Sequence, residues 1–171
     1  QRQMCIRDSQ RAVRWLIENS KKFYINENLI SLFGESAGGH LAMLVGYGSG
    51  LNIKSVIAVS APSDLEDPRA NSNLSVKAFL GSQVETDPSI YEVASPVHYI
   101  REKMPTTLII HSQNDKLVPI DQAEQLMAKL EKKNNVVFFH KFELNAHHLL
   151  GFESIHDQVF MSSVNFLKLS H

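Results

Sequence analysis

Cysteine, excess charge and long apolar runs are all scarce in this sequence of 171 residues. Each shortage excludes a class of function. Cys5 is the single cysteine, so neither an intrachain disulfide nor a thiolate metal cluster can form. Lys and Arg number 17 against 18 Asp and Glu, a formal net charge of −1. With no positive excess to neutralise a phosphate backbone and no polybasic block, nucleic acid is excluded as a partner. The longest apolar runs, such as Leu41 to Val45, fall far short of the roughly 18 residues that a membrane span needs. The chain opens Gln1-Arg2-Gln3-Met4, without an initiator Met and without the basic-then-apolar pattern of a signal peptide, so it reads as cut. What remains, 43% apolar and 20% charged residues, is the composition of an ordinary globular domain, and the length suits one.

Hydrophobic periodicity organises the chain into alternating elements. From an N-cap at Asp8 or Ser9, Gln10 to Lys22 reads as an amphipathic helix with Ala12, Val13, Trp15 and Leu16 on one side. Leu29 to Phe33 is a short apolar run bounded by polar residues and Gly34, the mark of a buried strand. Ala37 to Val45 follows as a helix apolar nearly all round, and Gly46 to Gly50 reads as a flexible turn. Ser55 to Ser60, Thr106 to His111 and Val136 to Phe142 are further strands, and helices are expected at about Ile120 to Lys133 and at Ile155 to Leu169. Strands alternating with helices imply an α/β fold, a mainly parallel sheet with helices on both faces. The stretch 62–105, rich in Asn, Ser, Asp and Pro, is too long for a simple crossover. It is expected to hold helices near Leu74 to Leu80 and Ile90 to Ile100 and to shape a pocket over the strand ends.

The strongest chemical signal is Gly34-Glu35-Ser36-Ala37-Gly38-Gly39. A G-x-S-x-G between a buried strand and a buried helix is the context of a nucleophile elbow. In such a turn the serine backbone is strained, and the residues two positions to either side must lack side chains for the chain to pass closely, a demand met by Gly34 and Gly38. Ser36 Oγ is then presented above the sheet, at a helix N-terminus whose dipole favours developing negative charge.

A nucleophilic serine needs a base, and the base an orienting acid further along the chain. Asp115 sits just past the third strand, where open α/β sheets place functional groups. Asp64, just past the second strand, is the competing acid, though a loop or N-cap role suits it better. Of the eight His, only His147 and His148, in Asn145-Ala146-His147-His148, follow both a strand end and Asp115. No H-E-x-x-H and no carboxylate cluster accompanies them, so no metal and no other cofactor is expected.

These residues resemble the esterase/lipase group of the α/β-hydrolase family, which includes hormone-sensitive-lipase-like carboxylesterases and acetyl- and feruloyl-type esterases. The resemblance runs from Asp8 onward, through Ala12-Val13-Arg14-Trp15-Leu16, Gly34 to Ala42, Phe79-Leu80-Gly81, Ala94-Ser95-Pro96, His111 to Pro119 and Val164-Asn165-Phe166-Leu167. It implies that the chain is the C-terminal part of a single α/β-hydrolase domain, 1–171, with the N-terminal strands missing, 62–105 a cap-like insertion and residues 1–7 foreign to the domain. It also implies Ser36 as nucleophile, Asp115 as acid, His148 as base and the Ala37 N–H as an oxyanion-hole donor. Leu149-Leu150 separates His148 from Gly151-Phe152, where the family often has Gly-Phe directly, and this keeps His147 as the alternative base.

The implied activity is serine carboxylic ester hydrolysis of a small-molecule ester through an acyl-enzyme. Amide cleavage by the same residues and a non-catalytic ligand-binding relative are the alternatives. The family's His-Gly-Gly-Gly-type motif, a source of further oxyanion donors, has no counterpart in the 35 residues before Ser36. Losing one such donor costs about 10²- to 10³-fold in turnover, so this chain by itself is expected to be weak or inactive and, with an apolar sheet edge exposed, prone to aggregate.

Overall fold

The computed structural model describes the backbone of residues 2–170 and the side chains of residues 4–170. Gln1, the first residue of the 1–7 segment set apart above, lies outside the described residues. The described residues form one sheet of four parallel strands in the order β1 (Ser31–Glu35), β2 (Ser55–Val59), β3 (Thr106–Ser112) and β4 (Val137–Phe142). Around it lie α1 (Arg2–Glu18), α2 (Ala37–Gly48), α3 (Pro68–Asn71), α4 (Leu74–Leu80), α5 (Pro88–Glu92), α6 (Asp121–Lys132) and α7 (Glu153–Ser170).

The period of two along β2 sorts the core into two layers. Val56 and Ala58 pack with Val13, Met43, Val45 and Tyr47 of α1 and α2 and with Leu126 and Leu130 of α6. Ile57 and Val59 face the other way, onto Val159 and Phe166 of α7. All five residues of β2 are buried, as a parallel strand covered on both faces requires. Each fully buried side chain of this size contributes about 1.5–3 kcal/mol. The 62–105 stretch carries a small core of its own, Leu65, Ala70, Leu80, Tyr91 and Ala94. At one margin of the sheet β1 pairs with β2 alone among the described residues, and Phe33 is half exposed. No helix among the described residues is long and apolar enough to cross a membrane.

Several element boundaries differ from the sequence reading for identifiable reasons. Helix α1 begins at Arg2 because neither Gly nor Pro interrupts 2–9, which leaves Asp8 and Ser9 inside the helix rather than at its cap. It ends at Glu18, where the Asn19 side chain donates to the Trp15 carbonyl. Strand β1 runs two residues later than expected, because Glu27–Leu29 is taken by a 3-10 turn in which the Asn26 side chain accepts the Asn28 N–H. Helix α2 continues through Gly46 and Gly48 instead of ending in a turn. At Gly46 the lack of a side chain is what seats the helix, since a Cβ there would lie 2.5 Å from Val56 Cγ2. The helix expected over Ile90 to Ile100 is broken into α5 and a 3-10 turn at Pro96–Tyr99, as proline disfavours helical backbone in the residue before it.

Candidate active site

Strand β1 delivers the chain into the elbow, and α2 starts one residue past Ser36. Ser36 has φ 54° and ψ −121°, a sparsely populated positive-φ conformation that costs a non-glycine residue of order 1–3 kcal/mol. The strained turn is pinned from both sides: the Ser36 N–H donates to the Val59 carbonyl of β2 at 2.8 Å, and the His40 N–H donates to the Ser36 carbonyl at 3.0 Å. A Cβ on Gly34 would lie 2.2 Å from the Gly38 carbonyl carbon, and one on Gly39 would lie 2.7 Å from both Ala61 Cβ and the Gly34 oxygen. Gly38, expected to be the second obligatory glycine, has open space where its Cβ would stand. The close approach is thus between Gly34 and the backbone of 38–39, and the second glycine it demands is Gly39.

Asp115 lies in the turn after β3, nearly inaccessible to solvent. Its Oδ1 accepts the N–H groups of Leu117 at 2.8 Å and Val118 at 3.0 Å, and its Oδ2 faces His147 Nδ1 at 2.8 Å. Burial by itself would push the Asp115 carboxyl up; the His147 hydrogen bond and the two backbone N–H groups outweigh it and hold the group below the ordinary aspartate value. The carboxylate therefore accepts only, His147 carries its proton on Nδ1, and the Nε2 lone pair is left for Ser36 Oγ at 2.8 Å.

The structure does not bring His148, the base that the resemblance implies, to Ser36. The loop after β4 turns His147 into the line between Ser36 and Asp115, and His148 points away, 66% exposed in its side chain, with Nδ1 3.5 Å from Glu35 Oε2. Asp64 takes the loop role: its Oδ1 accepts the Glu66 N–H at 3.0 Å and its own N–H donates to Gln122 Oε1. Ala37 is the first residue of α2, and its N–H is among those a helix start leaves without an intrahelical acceptor. Ser36 and Ala37 open onto a cavity of about 440 Å³ whose walls include His40, Leu65, Phe79 and His148. Away from that lining, Asp64, Glu66 and His98 bring one potential ligand atom each within 4.8 Å of one another, the one such grouping among the described residues, with His98 bonded to Glu66.

Three side chains passed over by the sequence reading support this arrangement. His111 donates from Nε2 to the Val118 carbonyl at 2.8 Å and so closes the turn that carries Asp115. Gln122, buried at the start of α6, accepts the Ser63 N–H and ties the loop after β2 in place. His40, in the first turn of α2, donates from Nε2 to the Ala94 carbonyl at 2.7 Å and meets Phe79 edge-on at 5.8 Å. A histidine directly after the two glycines of the elbow was the available signal for that last contact.

Burial lowers the His40 pKa to about 4, against a smaller opposing effect of the Ala94 bond. The unfolded chain, near 6.5, then takes up a proton that the folded chain refuses. Stability is expected to be level above pH 6.5 and to fall between pH 6.5 and 4, by about 3 kcal/mol for this residue. Burial depresses His111 in the same direction and adds to the fall. Urea midpoints across that window check it: the slope should be shallower in His40→Gln, and an unchanged slope would remove His40 as its source.

Comparisons with known proteins bear on the family and the fold. Esterase LipC of Mycobacterium tuberculosis is 28% identical over 143 residues, covering 73% of this chain and 36% of LipC. An acetylxylan esterase of Xylanibacter ruminicola is 28% identical over 115 residues, covering 66% of this chain and 24% of that protein. The chain thus spans about a third or less of the length of these curated relatives. Among solved structures, an acetyl ester-xyloside bifunctional hydrolase from Caldicellulosiruptor lactoaceticus superposes with a TM-score of 0.81 at 25% identity, covering 96% of this chain and 65% of the other. A Thermogutta terrifontis esterase 2 phosphoramylated by tabun superposes at 0.79 with 21% identity, covering 95% and 63%. The described sheet and its helices are accordingly part of an α/β-hydrolase fold. The family model described as BD-FAE matches residues 3–130, from α1 through the elbow and the acid turn into α6, and the chain belongs to that family.

Proposed function

We propose that this chain carries the reacting groups of a serine carboxylic ester hydrolase, with Ser36 as nucleophile, His147 as general base and Asp115 as the acid that orients it. The observation that carries the reading is the unbroken relay from Ser36 Oγ to His147 Nε2 and from His147 Nδ1 to Asp115 Oδ2, each link 2.8 Å. His147 takes the Ser36 proton as Oγ attacks the ester carbonyl. Asp115 holds the imidazole in the required tautomer and steadies the imidazolium that forms. Negative charge develops on the carbonyl oxygen beside the Ala37 N–H and the start of α2, where the helix dipole favours it. His147 then protonates the departing alcohol, and water, activated by the same imidazole, releases the acid from the acyl-serine. The substrate is a small-molecule ester, and the relatives named above as esterases support that class over amides.

A fluorophosphonate probe reads the nucleophile in a single turnover and does not depend on fast deacylation. The chain is expected to label, and Ser36→Ala to abolish labelling. Equal labelling of the two proteins would overturn Ser36 as nucleophile.

A further inference from the structure

Glu35, between Gly34 and Ser36, places a carboxylate next to the nucleophile, yet the reaction as written does not use it. Its side chain is only 16% exposed. Taking a carboxylate that far out of water is costly unless its oxygens find donors. Oε1 finds one in the loop that carries His147, and Oε2 comes near a second group of the same loop. Oε1 accepts the Leu150 N–H at 2.9 Å, across 115 residues of chain, and Oε2 lies 3.5 Å from His148 Nδ1. These two contacts fall on the residues one and three positions past His147. The rings of His147 and His148 meet edge-on at 4.6 Å, so fixing one constrains the other.

We infer that Glu35 is a positioning residue, a clamp from the nucleophile elbow to the base loop that sets the Ser36–His147 distance. The inference rests on the triad reading and deepens it. Strand β1 fixes Glu35 by pairing it with Val59 of β2, and that same Val59 accepts the Ser36 N–H through its carbonyl. Nucleophile and clamp are therefore built on one rigid strand end. The base loop has no strand of its own beyond Phe142, and it reaches the elbow through the Leu150 N–H, which sits in a short 3-10 turn at Leu149–Gly151. The clamp also accounts for the choice between the adjacent histidines, because the carboxylate that engages His148 leaves His147 as the ring facing Ser36.

What matters in a clamp is reach and an acceptor oxygen, and three replacements separate these from charge. Glu35→Gln keeps an acceptor carbonyl at full length without the charge. Glu35→Asp keeps the charge and loses the reach by one methylene. Glu35→Ala loses both. The readout is the maximal rate of fluorophosphonate labelling of the chain, with the probe's binding constant from the same saturation curve and circular dichroism to establish folding. Misplacement of a catalytic group by about 1 Å costs on the order of 10²-fold. Glu35→Asp and Glu35→Ala are expected to lose roughly that factor in maximal rate with little change in probe binding, and Glu35→Gln to recover most of it. A Glu35→Asp protein that labels at the original rate, or a Glu35→Gln protein as slow as Glu35→Ala, overturns the clamp. If Ser36→Ala blocks labelling while none of the three slows it, the clamp alone fails; if Ser36→Ala still labels, the triad reading fails with it.

Discussion

Alanine in place of His147 is expected to slow labelling of Ser36 by about 10²- to 10⁴-fold, the range that removal of a general base produces. Alanine in place of His148 is expected to cost less than about tenfold. The two residues are neighbours of the same type, so the comparison holds composition and loop length nearly constant and varies only position relative to Ser36. In His147→Ala the Ser36 hydroxyl loses its acceptor, and Asp115 is left as a buried carboxylate without its imidazole partner. In His148→Ala an exposed ring and a 3.5 Å contact with Glu35 are lost, while the Leu150 N–H still holds the loop. Rates measured against probe concentration for both variants decide it; a larger loss in His148→Ala would return the base to the residue favoured by the family pattern.

The largest effect on stability is expected at Gly34. A methyl group there would stand 2.2 Å from the Gly38 carbonyl carbon, 2.4 Å from its oxygen and 2.5 Å from the Gly39 nitrogen. All three are backbone atoms held by strand pairing and by α2, so no side chain can swing aside to relieve the clash. Gly34→Ala is expected to cost at least about 3 kcal/mol, a large share of the ~5–15 kcal/mol that holds a domain folded. Gly38→Ala, with open space around the added methyl and a helical backbone, is expected to be neutral or to gain up to about 1 kcal/mol. Urea unfolding of the two variants makes the test, and similar midpoints for both would contradict the packing described for the elbow.

The strand-turn-helix around Ser36 and the four strands of a parallel sheet were legible in the sequence because they rest on local pattern. A short apolar run, a glycine-flanked serine and an apolar helix identify one another without reference to the rest of the chain. The choice between His147 and His148 was not legible. It turns on how the loop after β4 leaves the sheet and on the Glu35 carboxylate far upstream, and a motif stated as spacing from Asn145-Ala146 carries neither. The same limit applies to Gly38 and Gly39. Symmetry around Ser36 selects Gly38, but the direction in which α2 departs brings Gly39 against Ala61 and Gly34. In 62–105 the helix over Leu74 to Leu80 was found at its own boundaries, with Asn73 capping its start and Gly81 in the left-handed conformation at its end. Over Ile90 to Ile100 the apolar period continues past Pro96 while the helix does not, because proline disfavours helical backbone in the residue before it.

Site mapping of the fluorophosphonate adduct tests the central claim most directly. The labelled chain is digested, and the modified peptide is sequenced by mass spectrometry. The relay described here predicts one adduct per chain, carried by Ser36, formed at rates within about tenfold of each other in the original protein and in His148→Ala and far more slowly in His147→Ala. An adduct on any other residue, or labelling of Ser36 at equal rates with and without His147, would contradict it.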